Sequence, residues 1–175
     1  MTIKLNRAIR HLDFIRWFIT DGPYANVIDK SRVSVYGWSY GGYSTTLVLA
    51  YGGGGDPIFQ SGVAVAPGGD QRMYDAMYTE RYMDYRGEEN EIGQKHWFNS
   101  SMIDHLMEVN EMKYFRNVTY NLIHGMNDDN VHFAISAAME KALVSVGIDF
   151  NAFVSTFGTI KIAIYNLQQA CFLHS

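Results

Sequence analysis

The stretch "VSVYGWSYGGYSTTLVLAYGGGG", residues 33 to 55, limits the fold more than any other part of the chain. A β-branched run passes through closely spaced glycines into a stretch of helix formers, and one serine, Ser39, stands between Gly37 and Gly41. Gly-x-Ser-x-Gly at a strand-to-helix junction is the nucleophile-elbow pattern. A turn this tight forces the serine into a strained backbone conformation, and side chains at positions 37 and 41 are expected to clash with the neighbouring strand and helix. The amino terminus of the following helix then faces the serine, where its N–H groups favour negative charge. At ordinary frequencies of about 7% per residue, a chain of this length matches the pattern by chance roughly once in twenty. The strand before and the helix after narrow that further.

The rest of the chain alternates in the same way. Leu5, Ile9, Leu12, Ile15 and Phe18 recur at helical spacing over residues 4 to 19, and "DGPYAN" breaks the pattern. "RVSVYG" reads as a strand and "YGGYSTTLVLAYG" as a helix closed by the glycines at 52 to 55. "GVAVAPGG" is a second strand, residues 70 to 86 a helix with Tyr74, Tyr78 and Tyr82 along one face, and "TYNLIHG" a third strand. "VHFAISAAMEKALVSVG" then reads as a helix and "DFNAFV" as a fourth strand. This order predicts an α/β fold, a mostly parallel sheet with helices on both faces. Reactive groups in such sheets lie beyond the carboxyl ends of the strands. Three places qualify: Ser39, the "GMNDDN" loop at 125 to 130, and whatever follows residue 154.

Bulk properties exclude some functions. With 175 residues, 47% of them hydrophobic, the chain can build one domain with a core. The balance of 18 acidic against 14 basic residues, without a basic cluster, argues against nucleic acid as a partner. No apolar run reaches the roughly 20 residues of a membrane span. The single cysteine, Cys171, rules out an intrachain disulfide, while "NSS" at Asn99 and "NVT" at Asn117 are glycosylation acceptors in a secretory setting.

Five ordered segments, "GWSYGGY", "VAVAP", "YDAMYTERYM", "LIHGMNDDNVHF" and "KALVSVGIDF", closely resemble the dipeptidyl peptidase branch of the prolyl oligopeptidase family of serine peptidases, over about residues 5 to 154. The resemblance implies a partial α/β-hydrolase domain at residues 1–154 followed by a divergent tail at 155–175. It implies Ser39 as the catalytic serine, Tyr40 as a backbone oxyanion donor, and Asp128 as the triad aspartate that orients a histidine. It further implies that Asn130 binds a substrate carbonyl, and that Tyr74, Tyr78, Val131 and the Tyr40 ring form an apolar pocket for proline. An aromatic box suits a rigid, uncharged pyrrolidine. The implied partner is a peptide with proline or alanine at its penultimate position. A homodimer and a plasma-membrane or extracellular setting follow by the same analogy, and no cofactor is implied. Taken from the residues alone, the tyrosine stripe also suits a core-facing helix surface, Asp128 and Asp129 suit a turn or helix cap, and His124 and His132 suit buried, hydrogen-bonded positions.

The sequence also departs from the family. The family's histidine lies in an "Asp-His-Gly" loop after the last strand, and the matching position here is Ile160. His174 is the only later histidine, and a chain terminus is a poor place to hold a base. Without a base, a serine hydroxyl stays protonated at neutral pH. "QQACFLHS" resembles the family's last helix but the stretch before it does not, as expected of a missing or misread exon near residues 155 to 163. Cys171 matches a half-cystine whose partner position is Ser61, so that bridge is not expected. The chain begins at the helix before the elbow strand, so the family's earlier strands, its upstream oxyanion tyrosine, β-propeller and membrane anchor are not expected in it. A four-stranded piece would leave a sheet edge open to aggregation.

Overall fold

A computed structural model of the chain describes residues 3–52, 58–87, 89–107 and 115–156. Helix α1, Ile3–Thr20, precedes strand β1, Ser34–Trp38, which passes directly through Ser39 into α2, Tyr40–Tyr51. Gly52 ends α2 in the left-handed conformation and donates back to the Val48 carbonyl, the stop that the glycine run predicts. Strand β2, Ser61–Val65, is followed by helices α3, Ala76–Met83, α4, Glu91–Phe98, and α5, Met102–Met107. Strand β3, Thr119–Gly125, helix α6, Phe133–Ser145, and strand β4, Asn151–Ser155, complete the described part. The four strands pair in parallel in the order β1-β2-β3-β4, with Tyr36 opposite Val63, Val63 opposite Asn121 and Asn121 opposite Asn151. The α/β class and the four strands therefore agree with the sequence.

The larger core cluster lies against one face of the sheet. Gly37, Ala64 and Leu122 fall in one cross-strand row, and all three are buried. Leu47 and Leu49 of α2, Met139 and Leu143 of α6, and Met102 and Leu106 of α5 share one buried cluster with Ala64 and Leu122. Each of these leucine and methionine side chains contributes about 1.5–3 kcal/mol relative to exposure. A buried polar pair crosses this layer: Thr46 donates to the Gly42 carbonyl at 3.0 Å and so accepts from the Tyr120 hydroxyl at 2.8 Å. α1 adds Leu12 and Ile19 to the same cluster, with Ile15 and Phe18 packed against it, while the side chains of Leu5 and Ile9 lie outside the description.

One face of the sheet is the more closely packed among the described residues. On the other, Tyr36 is 61%, Trp38 38% and Phe153 47% exposed. A difference from the sequence reading concerns residues 70 to 86, which are not one helix. Asp70 caps a single 3₁₀ turn, Gln71–Met73; Tyr74 is extended; and Asp75 starts α3 afresh by accepting from the Tyr78 N–H at 2.8 Å. Two aspartates five residues apart, each bonding the backbone just ahead of it, favour two short caps over a continuous helix. The glycosylation acceptors also differ in setting: Asn117 is exposed, and Asn99 is half-buried at the end of α4.

Candidate active site

Ser39 is the one residue between β1 and α2, and it turns the chain with φ 56 and ψ −118. A non-glycine residue reaches that conformation only under strain. Bonds on both sides hold it: its N–H donates to the Val65 carbonyl at 2.9 Å, and its carbonyl accepts from the Tyr43 N–H at 3.0 Å. The hydroxyl makes no cap bond to α2. The positive end of the helix dipole therefore lies at a serine that does not spend its oxygen on the helix. Gly37 is required, because a Cβ there would lie 2.1 Å from the Gly41 carbonyl oxygen. The expected clash at position 41 is overturned, since a Cβ on Gly41 meets nothing within 4 Å. The close approach falls at Gly42, where a Cβ would lie 2.9 Å from the Val65 oxygen, because α2 turns that face toward the end of β2.

The loop after β3 is organised by Asp128. Its carboxylate is nearly buried, and Oδ1 accepts from the Asn130 N–H at 3.0 Å and the Val131 N–H at 2.9 Å. Oδ2 stands 3.9 Å from His124 Nε2, too far for a hydrogen bond. Among the described residues, then, one carboxylate oxygen builds the turn and the other accepts no hydrogen bond. His124 is buried as expected. Its Nε2 lies 2.7 Å from the Val131 carbonyl and its Nδ1 2.6 Å from the Ser136 hydroxyl. A carbonyl can only accept, so the proton sits on Nε2 and Ser136 donates to Nδ1. Burial holds this imidazole below its usual pKa, against the opposing pull of the Val131 carbonyl and Asp128. Both nitrogens are occupied, so His124 has none to offer a serine. His132 departs from expectation, being exposed at the cap of α6. Its ψ of 137 lies outside helical geometry, so the apolar spacing of Ile135, Met139 and Leu143 does not extend back to it.

Ser39, Tyr40, Tyr74, Tyr78 and Val131 line one small cavity of about 80 Å³. Tyr74 and Tyr78 meet edge to face at 5.4 Å, and Tyr40 stacks on Tyr43 at 5.7 Å. The alternative of a core-facing tyrosine stripe does not hold: Tyr78 is 41% and Tyr82 63% exposed, and α3 buries Thr79 and Met83 instead. A larger cleft of about 530 Å³ shares Tyr74 and Tyr78 with the small cavity and adds Asn130, Asp129 and His132. Asn130 Oδ1 accepts from the Tyr74 hydroxyl at 2.9 Å, which leaves the amide N–H groups as donors.

Gly68 and Gln71 also line the small cavity and were not anticipated. They follow β2, so the rule that sites gather beyond strand carboxyl ends could have found them in "APGGDQ". That loop is tied down from below. Asp70 accepts from the Arg72 guanidinium and, at 2.9 Å, from the Ser101 hydroxyl, while Arg72 reaches Asp104 at 3.0 Å. The positions of Ile160, Cys171 and His174 lie outside the described residues. Strand β4 ends with Ser155 opposite Gly125, and Met126 N–H donates to the Ser155 carbonyl at 2.8 Å, so the chain leaves β4 beside the Asp128 loop. No helix among the described residues is long and apolar enough to cross a membrane.

A parallel sheet with a strained serine between its first strand and the next helix is the architecture of an α/β-hydrolase. The family model described as Prolyl oligopeptidase family matches residues 12–156, and the chain belongs to that family. Prolyl endopeptidase FAP of Bos taurus is 44% identical over 138 residues, covering 79% of this chain and 16% of that protein. Dipeptidyl peptidase 4 of Sus scrofa is 40% identical over 147 residues, covering 84% of this chain and 18% of that protein. The chain thus spans less than a fifth of the length of these relatives. In three dimensions it superposes on a crystal structure of Porphyromonas gingivalis dipeptidyl peptidase 4 with a TM-score of 0.76 and 27% identity, over 99% of this chain and 23% of that one.

Proposed function

We propose that residues 1–154 form a serine-peptidase domain of the dipeptidyl type, with Ser39 as nucleophile, and that 155–175 form a divergent tail. The observation that carries the reading is the convergence of a strained serine, three tyrosine rings and Val131 on one cavity. In this reading a proline or alanine side chain enters that cavity, and the peptide's remaining length lies in the adjoining cleft. Ser39 Oγ attacks the carbonyl carbon, and the oxyanion forms at the amino terminus of α2, where the Tyr40 N–H donates. The Asn130 amide holds a second substrate carbonyl. Loss of the amine leaves an ester on Ser39, which water hydrolyses. Asp128, with Oδ1 committed to its own loop, has its other carboxylate oxygen left to accept from an imidazole, which supports the reading that it orients a histidine. Peptides are the partners, and pairing with a second copy follows the family analogy.

A second reading is a hydrolase-fold piece without peptidase activity that acts through protein contacts. One observation favours it: among the described residues no histidine is hydrogen-bonded to Ser39, and His124 is fully engaged elsewhere. Ile160 at the family's histidine position agrees with impaired turnover.

A fluorophosphonate probe separates the two. The peptidase reading expects Ser39 to be labelled in the folded chain and labelling to vanish in Ser39→Ala. A folded protein whose Ser39 stays unlabelled would leave the second reading standing. Among labelled forms, faster hydrolysis of a proline dipeptide substrate than of a short-chain ester separates a peptidase from a general esterase.

A further inference from the structure

Most of the small cavity beside Ser39 is walled by rings and by Val131, and one wall is an amide. Gln71 lines it, although the residue is only 3% exposed. The side-chain Nε2 donates to the Gly68 carbonyl over a long 3.4 Å. The other end of the amide, Oε1, has no hydrogen-bond partner among the described residues. A buried side-chain oxygen left in this state is uncommon and calls for a specific explanation. An apolar side chain of the same length would fill the space without that loss. The neighbouring wall is bare: a Cβ on Gly68 would meet only Gln71 Nε2, at 3.8 Å, so nothing on residue 68 screens the amide. With Nε2 committed to the Gly68 carbonyl, the free end of the amide is an acceptor, which only a hydrogen-bond donor completes.

An occupant that completes this amide must be small enough for about 80 Å³ and must carry a hydrogen-bond donor. A hydroxyl donates; a methylene does not; a carboxylate only accepts and brings a charge to a largely apolar box. We infer that Gln71 is a specificity-determining residue that makes this cavity prefer a small side chain bearing a hydroxyl, 4-hydroxyproline or serine, over the matching proline or alanine. The inference rests on the proposal that the cavity receives the side chain next to the cleaved bond.

The test uses the full chain and matched product dipeptides. Binding of alanyl-4-hydroxyproline and alanyl-proline is measured by calorimetry, and again by protection of Ser39 from the fluorophosphonate. The hydroxylated dipeptide is expected to bind about tenfold more tightly, the scale of one completed hydrogen bond to a buried group. Alanyl-serine against alanyl-alanine should repeat the direction. In Gln71→Met, of similar length and without polar atoms, the two members of each pair should bind alike. Equal binding in the unmodified chain, or a preference that survives Gln71→Met, overturns the inference. If that variant does not fold, the two matched pairs in the unmodified chain decide. Ser39 labelling with equal binding removes the role of Gln71 and leaves the peptidase reading in place. Neither labelling nor binding removes both.

Discussion

Ser39 occupies a backbone region that costs a side-chain-bearing residue about 1–3 kcal/mol, and its neighbours hold it there through the Val65 and Tyr43 hydrogen bonds. Glycine adopts that region without strain but is more disordered in the unfolded chain by roughly 0.5–1 kcal/mol. Ser39→Gly should therefore raise stability by about 1 kcal/mol in urea denaturation, while Ser39→Ala, which keeps the strain, should change it little. Both should lose the fluorophosphonate label. A stability gain in the glycine variant alone would identify the cost as backbone strain rather than as a buried hydroxyl. At this scale the elbow spacing made the strained turn at Ser39 legible, while Tyr40, Asp128 and Val131 were reached only through the resemblance to the family. The sequence was not legible at Gln71, because nothing in "GGDQRM" distinguishes a glutamine facing a cavity from one facing water. The carbonyl partner that occupies His124 Nε2 is a tertiary contact and was equally hidden, although a buried, bonded histidine is the ordinary case.

The junction of β1 and α2 requires backbones to approach closely, and its glycines are not equivalent. Gly37→Ala would force a methyl against the Gly41 carbonyl at 2.1 Å and should cost several kcal/mol, ~3 or more, or prevent folding. Gly42→Ala meets the Val65 oxygen at 2.9 Å and should cost less, because a small shift of α2 relieves it. Gly41→Ala has open space and should gain up to about 1 kcal/mol of helix propensity. Thermal denaturation of the three variants checks the order, and a severe loss at position 41 would contradict the geometry. Elements with clean punctuation were legible: the third strand has the predicted limits, and α2 stops at its glycine. The two short helices α4 and α5 were not, because "NEIGQKHWF" and "MIDHLM" are too short for a helical period to stand out. Residues 70 to 86 misled in the opposite sense. Tyrosines at four-residue steps imitate a helix that two capping aspartates interrupt.

At the scale of the molecule, one buried imidazole ties folding to pH. Burial lowers the His124 pKa from its ordinary 6.5. Above that value the group is neutral whether folded or unfolded, and the contribution of its two hydrogen bonds is intact. As pH falls below it, the unfolded chain takes up the proton first, so stability drops until pH passes the lower folded value. Urea midpoints taken from about pH 7.5 downward should decline through this window, and a His124→Gln variant, which cannot titrate, should decline less steeply. Equal slopes would show that carboxylates carry the whole acid response.

The sheet itself is asymmetric, with a packed layer of α2, α5 and α6 on one side and Tyr36, Trp38 and Phe153 half-exposed on the other. Trp38 stands one residue before Ser39, so the same short turn joins the strained serine to an indole on the opposite side of the sheet. Indole emission moves to shorter wavelength as water leaves the ring. The chain thus carries its own optical gauge of whatever comes to rest on that side, wired by a single peptide bond to the serine.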